Sequence, residues 1–251
     1  DYKVLNEENI FEEDGKDKRE FIVQAFGLNE KGQSYCLYIK NVTPFFYIKV
    51  DDSWNSSKKE RFLEYIIEQL GNENTQNYYK DSVLDCKLIK KKKLYGFDDG
   101  KLHKFIYLKF KNSIIFNKVK NLWYEYKEDK NGEKSRVLNG LNFENTETIL
   151  YEASIPPLLR FFHVKNISPS GWIKFNLKKA SKPGNFKTSC DFEFNIIKEH
   201  IISQPNKETS IPLKICSFDI EASSSHGDFP LPVKNYKKLA TNIVDAIKKI
   251  M

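Results

Sequence analysis

The chain has 251 residues and a formal net charge of +7 at pH 7. Its hydrophobic fraction of 40% and aromatic fraction of 14% exclude a wholly disordered chain. This length allows one large domain or two ordinary ones, each with its own core. No apolar run approaches the ~20 residues that a membrane-spanning helix needs, so we expect no membrane partner.

The charge is unevenly distributed along the chain. The first twenty residues hold eight acidic and four basic side chains, whereas the remaining 231 hold 37 basic and 26 acidic ones. A basic body suits a nucleic-acid partner, because neutralisation of phosphates supplies most non-specific affinity. A lysine-rich proteome would give the same excess, and the charge alone does not separate the two explanations.

The four cysteines lie far apart and lack the spacing of a metal site. Each lies in an apolar or alternating stretch, where a free thiol behaves as a small core residue. A reducing compartment is therefore expected, and the protein is not expected to be secreted. The cysteines are Cys36, Cys86, Cys190 and Cys216.

The first predicted elements are a hairpin of strands over 21–26 and 34–39, followed by a third strand over 45–50. A helix follows this third strand. Ser57 and Glu60 form a capping-box pattern at its start, ahead of an apolar stripe of helical spacing.

The next segment repeats the order of strands and helix. Residues 72–82 are polar and predicted to form a loop, and 83–89 are predicted to form a strand. A further strand is expected over 105–110, and Asn112 can cap a second helix. Sheet followed by helix, twice over, is typical of α+β domains.

The rest of the chain is less regular in pattern. Residues 125–140 are charged and predicted to be a loop or insertion, and a short helix is expected near 145–150. A strand is predicted over 191–197, and 203–210 form a polar linker at which we place a domain boundary. Apolar residues recur every three or four positions over 239–250, which predicts a helix packed on a sheet.

The strand-like run over 213–221 ends in two acidic residues, Asp219 and Glu221. Side chains alternate along a strand, so both carboxylates should point the same way from the same edge. Such a pair is costly to bury, and Mg²⁺, which takes hard oxygen ligands, would relieve the repulsion. The pair predicts half of a metal-dependent nuclease site, with a solvated surface strand as the alternative.

Several motifs follow one another in the order found in the N-terminal part of family B DNA polymerases, which the chain resembles over about residues 20–251. The Asp-Ile-Glu segment matches the first exonuclease motif of that family, and 224–230 are most similar to its giant-virus branch, whose polymerases are delta-like. The motifs are Pro44-Phe45-Phe46-Tyr47, Leu94-Tyr95-Gly96-Phe97, Tyr151-Glu152 with Leu159-Arg160-Phe161 and Trp172-Ile173, and Phe218-Asp219-Ile220-Glu221.

The resemblance implies a fold and a division into domains. Residues 1–20 would be a charged N-terminal segment, and 21–207 an α+β N-terminal domain, a mixed sheet with packed helices, that contacts the template strand. Residues 208–251 would be the incomplete beginning of a ribonuclease H-like α/β exonuclease domain, with its first strand and helix. In that domain, Asp219 and Glu221 would be catalytic and would hold two metal ions, Mg²⁺ or Mn²⁺.

The chain begins at Asp1 and stops at Met251 inside a helical pattern, so we expect a piece of a longer protein. The remaining exonuclease motifs and the polymerase domains would lie beyond it. The parent protein would be a DNA-directed DNA polymerase with 3′–5′ exonuclease, and this portion alone is expected to be inactive. Expected partners are single-stranded template or primer DNA, the rest of the polymerase, and a sliding clamp bound through the missing part. The expected location is a cytoplasmic viral factory or the nucleus of an infected cell.

A lysine run offers a second candidate site, for nucleic acid. Its ammonium groups would follow a phosphate backbone, and the tyrosine after them would be a stacking surface. The alternative is a solvated strand end with core aromatics. The residues are Lys90, Lys91, Lys92, Lys93 and Tyr95.

Two further side chains in the motifs are assigned structural roles. Arg160 lies between apolar neighbours and is predicted to pair with Glu152 inside the protein rather than with DNA. Trp172 is predicted to pack in the core.

Two classes of function remain open at this point. One is a portion of a replicative DNA polymerase that includes part of its proofreading site. The other is a stand-alone module that binds single-stranded nucleic acid. A complete small nuclease is disfavoured, because two carboxylates on one strand cannot complete a two-metal site.

Overall fold

The structure is a computed structural model. It describes residues 2–6, 19–71, 79, 81–93, 96, 98–128, 132, 134–211, 215–219 and 236–250. The chain divides into two compact units, residues 1–212 and residues 213–251. None of the described helices is long and apolar enough to cross a membrane.

The first unit combines strands with three helices over its described residues. In chain order these are β1 Tyr2–Asn6, β2 Phe21–Leu28, β3 Ser34–Lys40, β4 Phe45–Lys49, α1 Ser56–Glu68, β5 Val83–Lys92, β6 Leu102–Phe110, α2 Ser113–Asn121, β7 Tyr124–Glu128, β8 Lys134–Leu138, β9 Leu141–Phe143, β10 Thr146–Tyr151, α3 Pro157–Lys165, β11 Ile173–Phe175, β12 Phe192–Ile197 and β13 Ile201–Ser203.

Four strands form the first sheet, in the order β1-β2-β3-β12. The pairs β1–β2 and β2–β3 are antiparallel, and β12 runs parallel to β3. Phe161 and Phe162 of α3 share a buried cluster with apolar side chains of this sheet. The predicted hairpin and the predicted strand over 191–197 are therefore confirmed.

Five antiparallel strands form the second sheet, in the order β5-β6-β4-β10-β9. Both α1 and α2 share one hydrophobic core with this sheet. Together the two sheets and their helices confirm the predicted α+β class. The core side chains on the two central strands are Phe46, Ile48, Ile106, Leu108 and Phe110, and those on the helices include Phe62, Ile66, Ile115, Phe116 and Val119.

The start of α1 differs from the prediction. Asn55 caps the helix, since its side-chain oxygen accepts a hydrogen bond from the backbone N–H of Lys58 at 2.9 Å. The predicted capping box of Ser57 and Glu60 is wrong, because Ser57 already lies inside the helix and its hydroxyl accepts a hydrogen bond from Arg61. Asn55, two residues before Ser57, has an extended backbone and offers its side chain to the free N–H groups of the first turn.

The predicted cap of α2 is confirmed. Asn112 Oδ1 accepts hydrogen bonds from the backbone N–H groups of Ile114 and Ile115 at 3.0 and 3.1 Å. The helix then places Ile115, Phe116 and Val119 in the core. The cap and the apolar spacing therefore predicted this element and its buried side.

Two predictions between residues 125 and 150 are wrong. The expected loop over 125–140 contains the antiparallel ribbon β7–β8, and the expected helix near 145–150 is strand β10. Glu144 and Asn145 both have positive φ, 43° and 60°, which turns the chain tightly and returns β10 along β9. The β-branched residues of this stretch, Thr146, Thr148 and Ile149, also favour a strand.

Trp172 is partly exposed, so its predicted place in the core is wrong. Its indole Nε1 donates a hydrogen bond to the carbonyl of Thr209 at 3.0 Å, and Lys207 Nζ lies 4.2 Å from its ring centroid. The ring lines an open groove of about 880 Å³ between the β2–β3 hairpin and the segment around β11. A hydrogen-bonding indole at a groove wall satisfies its polar edge without full burial.

The cysteines are all free. Cys36 is buried as predicted, and Cys86 and Cys190 are half-buried. Burial raises the pKa of Cys86 to about 11, which keeps that thiol protonated. Cys216 is exposed, so the prediction of a core role is wrong for this residue.

The second unit is described over 215–219 and 236–250. Residues 215–219 form no strand, and Ile215 and Phe218 are 88% and 80% exposed. The prediction of a covered central strand is wrong for this stretch. A central strand needs hydrogen-bonded neighbours on both sides. The described residues of this unit include no strand that could be such a neighbour.

The only helix described in the second unit is α4, Lys237–Ile250, which confirms the helix predicted over 239–250. Its apolar stripe is about half exposed, from 49% to 55%. The predicted packing of this stripe on a sheet is therefore not found among the described residues. The exposed members of the stripe are Leu239, Ile243, Val244 and Ile247.

Candidate nucleic-acid interface and the acidic pair

The second sheet has an aromatic outer face, on the side opposite its helices. Phe45, Tyr47 and Tyr107 form a triangle with ring centroids 5.7, 5.0 and 5.5 Å apart. Phe105 extends the triangle, 6.4 Å from Tyr47, and Tyr151 lies 5.2 Å from Phe105. We call these five side chains the aromatic face.

Strand alternation explains the aromatic face. In β4, Phe46 and Ile48 are fully buried towards the helices, so Phe45 and Tyr47 point to the other side, where they are half-buried. Tyr47 lies directly opposite Tyr107 in the antiparallel pair of β4 and β6. Cross-strand aromatic pairs of this kind stabilise a sheet and leave ring surface open to solvent.

Two cations lie against the aromatic face. The guanidinium carbon of Arg160 is 4.8 Å from the ring centroid of Phe45, and Lys91 Nζ is 5.0 Å from that of Tyr47. Both distances are within the range of a cation–π contact. Arg160 also pairs with Glu152, as predicted from the sequence.

The lysine run predicted from the sequence divides between the two sides of β5. Because β5 extends to Lys92, the side chains of Lys90, Lys91 and Lys92 alternate. Lys91 therefore lies on the side of the aromatic face, in contact with Tyr47. Lys90 and Lys92 are exposed on the other side, so the structure does not bring the three together.

Lys93 has a local structural role. Its ammonium group lies 3.5 Å from the carboxylate of Asp98, which also contacts His103 Nε2 at 2.5 Å. The hydrogen bond from His103 lowers the pKa of Asp98, and the charge of Lys93 adds to this effect. Tyr95, the predicted stacking residue, lies outside the described residues.

A positive cluster adjoins the aromatic face. Lys109 lies directly opposite Phe45 in the β4–β6 pair. Burial lowers the pKa of Lys198, and the positive charges of Lys109 and Lys165 lower it further, against the opposing effect of Glu199. Lys198 Nζ lies 3.9 Å from a carboxylate oxygen of Glu199, so the three lysines are opposed by one acidic group and the surface keeps an excess of positive charge that favours a phosphate.

The hydroxyl of Tyr107 stays neutral at physiological pH. Burial raises its pKa, and the neighbouring Tyr47 and Asp85 raise it further, while Arg160 opposes the change. Aromatic rings flanked by cations are an arrangement on which nucleobases stack.

The acidic pair is described in part. Asp219 lies at the end of the exposed stretch 215–219, and Glu221 lies outside the described residues. Across the parts of the chain that the structure describes, no group of three or more His, Cys, Asp or Glu side chains could hold a metal ion. Mg²⁺ requires near-octahedral oxygen coordination, so the described residues alone do not form its site.

Tyr107 and Lys109 were not predicted from the sequence as candidate binding residues. A signal was present, because Phe105, Tyr107 and Lys109 alternate with the apolar residues Ile106, Leu108 and Phe110. This alternation predicts a strand but does not by itself indicate a binding surface. That Tyr107 lies beside Tyr47 depends on the pairing of β4 with β6, and sequence spacing does not specify that pairing.

Comparison with known proteins identifies the family. Residues 148–241 match the model described as DNA polymerase family B, exonuclease domain. The DNA polymerase of Phaeocystis pouchetii virus is 44% identical over 231 residues, which cover 92% of this chain and 22% of that protein. The DNA polymerase of Acanthamoeba polyphaga mimivirus is 25% identical over 92% of this chain and 13% of its own length.

A cellular protein and a solved structure are also similar to this chain. The DNA polymerase delta catalytic subunit of Dictyostelium discoideum is 26% identical over 88% of this chain and 20% of its own length. The solved family B DNA polymerase of Pyrobaculum calidifontis aligns with a TM-score of 0.47 and 15% identity, covering 85% of this chain and 20% of that one.

The chain thus spans about a fifth or less of the length of these relatives. The matched exonuclease segment extends to both sides of residue 207, and the domain boundaries given above stay a prediction. The predicted resemblance, including its similarity to viral polymerases, is confirmed. The chain therefore belongs to family B of the DNA polymerases, and its residues 148–241 match the exonuclease domain of that family.

Proposed function

We propose that this chain contributes template-strand binding and part of a 3′–5′ proofreading exonuclease to a replicative DNA-directed DNA polymerase. The observation that carries the proposal is the exonuclease-domain match over 148–241, which contains Asp219 and Glu221. Because the chain spans a small part of its relatives, the activity of the whole polymerase belongs to the same proposal.

In this proposal, Asp219 and Glu221 are catalytic carboxylates and ligands of Mg²⁺ or Mn²⁺. Two carboxylates cannot complete a two-metal site, and the described residues add no third ligand to Asp219. We therefore expect the chain alone neither to digest DNA nor to extend a primer. The missing ligands would come from the remaining part of the polymerase.

A nuclease assay tests the exonuclease assignment. The chain is incubated with 5′-labelled single-stranded DNA and Mg²⁺ or Mn²⁺, alone and together with a polypeptide that carries the remaining polymerase domains. We expect digestion from the 3′ end only in the mixture, and its loss in Asp219→Ala and Glu221→Ala. Digestion by the mixture that survives both substitutions would contradict the assignment. Digestion by the chain alone, lost in Asp219→Ala, would instead show a complete nuclease.

The aromatic face supports the DNA-binding part of the proposal. Stacking of one base on an aromatic side chain contributes about 1–3 kcal/mol, and Tyr47 and Tyr107 both present half-buried rings. Lys91 and Lys109 lie where phosphates of a strand crossing these rings would pass. The same surface also favours the second candidate function, a stand-alone module for single-stranded nucleic acid.

Binding of a fluorescein-labelled oligothymidylate, followed by anisotropy, tests this surface. We expect Tyr47→Leu to weaken binding about fivefold or more, because leucine keeps the apolar contacts of the sheet but removes the stacking ring. Tyr126→Leu is the matched control, since Tyr126 is 75% exposed on β7, which pairs with β8 in a sheet of its own. Equal affinity of Tyr47→Leu and wild type would contradict a role for the aromatic face.

The remaining partners and the location are proposed from the family. The other polymerase domains are the expected protein partner, and a sliding clamp would bind through them. The site of action would be a cytoplasmic viral factory or the nucleus of an infected cell. Co-purification from the native host tests these assignments: we expect a polypeptide with the palm domain to accompany the chain, and purification without one would contradict them.

A further inference from the structure

A basic loop lies on the first sheet, separate from the aromatic face. We call residues 182–187 the basic loop. At its start, the backbone groups of Ser181 and Asn195 form two hydrogen bonds, at 3.0 and 2.7 Å. At its end, Lys187 and Thr188 are held by Glu193. Both ends of the loop are therefore fixed to strand β12.

Glu193 anchors the loop with a buried carboxylate that is 1% exposed. It accepts hydrogen bonds from the backbone N–H of Lys187 at 3.0 Å, and from the N–H and hydroxyl of Thr188 at 2.6 Å each. The hydroxyl of Tyr38 donates a fourth, at 3.1 Å. Burial raises the pKa of Glu193, but these hydrogen bonds outweigh burial and lower it, so the group is ionised at neutral pH.

The basic loop presents an aromatic ring between cations. Phe186 is 56% exposed, and Lys182 and Lys187 are exposed on either side of it. A Cβ placed on Gly184 would meet no atom within 4 Å, so the turn of the loop faces open space. An exposed aromatic ring between cations is a surface on which a nucleobase can stack.

Lysines outnumber acidic residues in the segment that contains the basic loop. Residues 173–190 contain five lysines and no acidic residue. None of the five pairs with a carboxylate of the described residues, whereas elsewhere Lys58 and Arg61 pair with Glu144. Such a surface fits a polyanion better than a mixed-charge protein surface. The five are Lys174, Lys178, Lys179, Lys182 and Lys187.

We propose that the basic loop is a second contact for single-stranded nucleic acid, in which Phe186 stacks on a base while Lys182 and Lys187 bind the flanking phosphates. This contact rests on the proposed DNA-binding function and adds a site on the other sheet. Because both ends of the loop are fixed to β12, binding orders little additional backbone, which keeps the entropic cost low. Base stacking and phosphate contacts of this kind do not depend on sequence.

Anisotropy of a labelled oligothymidylate with the full chain over a salt series tests the proposal. Phe186→Ala is expected to weaken binding about fivefold or more. The double variant Lys182→Ala with Lys187→Ala should make the slope of log affinity against log salt less steep by about 1.4, at about 0.7 per phosphate contact on single strands. Tyr126→Ala and the pair Lys127→Ala with Lys134→Ala are matched controls on β7–β8 and should bind as wild type does.

The outcomes separate the basic loop from the aromatic face. If Phe186→Ala and the double lysine variant keep wild-type affinity and slope while Tyr47→Leu weakens binding, the loop proposal is wrong and the proposed function stands. If the wild-type chain itself does not bind the oligonucleotide, the DNA-binding function and the loop contact both fail. Equal losses in the β7–β8 controls would also overturn the proposal, because the effect would then be one of net charge.

Discussion

Glu193 is a buried carboxylate whose hydrogen bonds contribute to the stability of the fold. We expect Glu193→Gln to lower the free energy of unfolding by about 1–3 kcal/mol, because the buried amide cannot accept all the hydrogen bonds that the part-buried donors of Lys187 and Thr188 give to the carboxylate. Urea denaturation measures the change. Glu60→Gln is the matched control, since Glu60 is 68% exposed, and a change within about 0.5 kcal/mol is expected there. Equal stability of Glu193→Gln and wild type would contradict the anchoring role.

The same residue predicts a dependence on pH. The pKa of Glu193 is lower in the folded chain than its ordinary value of 4.5. Its contribution to stability is therefore fully present above that ordinary value and is lost as the pH falls through the folded pKa. Unfolding experiments at neutral and acidic pH should show a smaller acid loss of stability in Glu193→Gln than in wild type. Parallel losses in the two proteins would show that this carboxylate does not contribute.

Side-chain contacts were only partly predictable from the sequence. The pair of Arg160 with Glu152 was predicted, because an arginine among apolar neighbours needs a nearby carboxylate. That Arg160 also covers Phe45 was not, since this contact joins α3 to a strand more than a hundred residues earlier. Trp172 was predicted in the core, whereas the groove that its ring lines depends on the β2–β3 hairpin.

At the scale of elements, the start of α1 gives a direct test. We expect Asn55→Ala to destabilise the chain by about 1 kcal/mol, because the side chain of Asn55 satisfies the N–H of Lys58 in the first turn. Ser57→Ala should change stability much less, since Ser57 lies inside the helix and does not cap it. Thermal unfolding of the two variants measures the difference. A larger loss in Ser57→Ala would restore the capping box expected from the sequence.

Elements with a strong apolar signal were predicted well, and those without one were not. Strands β2 and β3 carry short apolar runs that are buried over consecutive residues, and α2 carries an apolar stripe of helical spacing. The ribbon β7–β8 carries few apolar residues, so its alternation leaves little signal. The pairing of β4 with β6 places α1 and β5 between partner strands, and a local pattern cannot specify such a pairing.

At the scale of the whole molecule, the family and the class of fold were predictable because the motifs occur in a fixed order. The candidate metal site was predictable only as two residue types, Asp219 and Glu221. A metal site requires ligands brought together by tertiary structure, and the described residues provide one carboxylate of the pair. The proposed surface that the structure assembles most completely is the aromatic face with its flanking cations, on the second sheet.

The salt dependence of binding to single-stranded DNA is the most direct test of the account. We expect the 251-residue chain to bind a labelled oligothymidylate at low salt, with log affinity falling linearly as log salt rises. The double variant Lys91→Ala with Lys109→Ala should reduce the magnitude of that slope by about 1.4, at about 0.7 for each lost phosphate contact. Negligible affinity at low salt, or a flat slope for the wild-type chain, would contradict the central claim that this part of the polymerase binds the template strand.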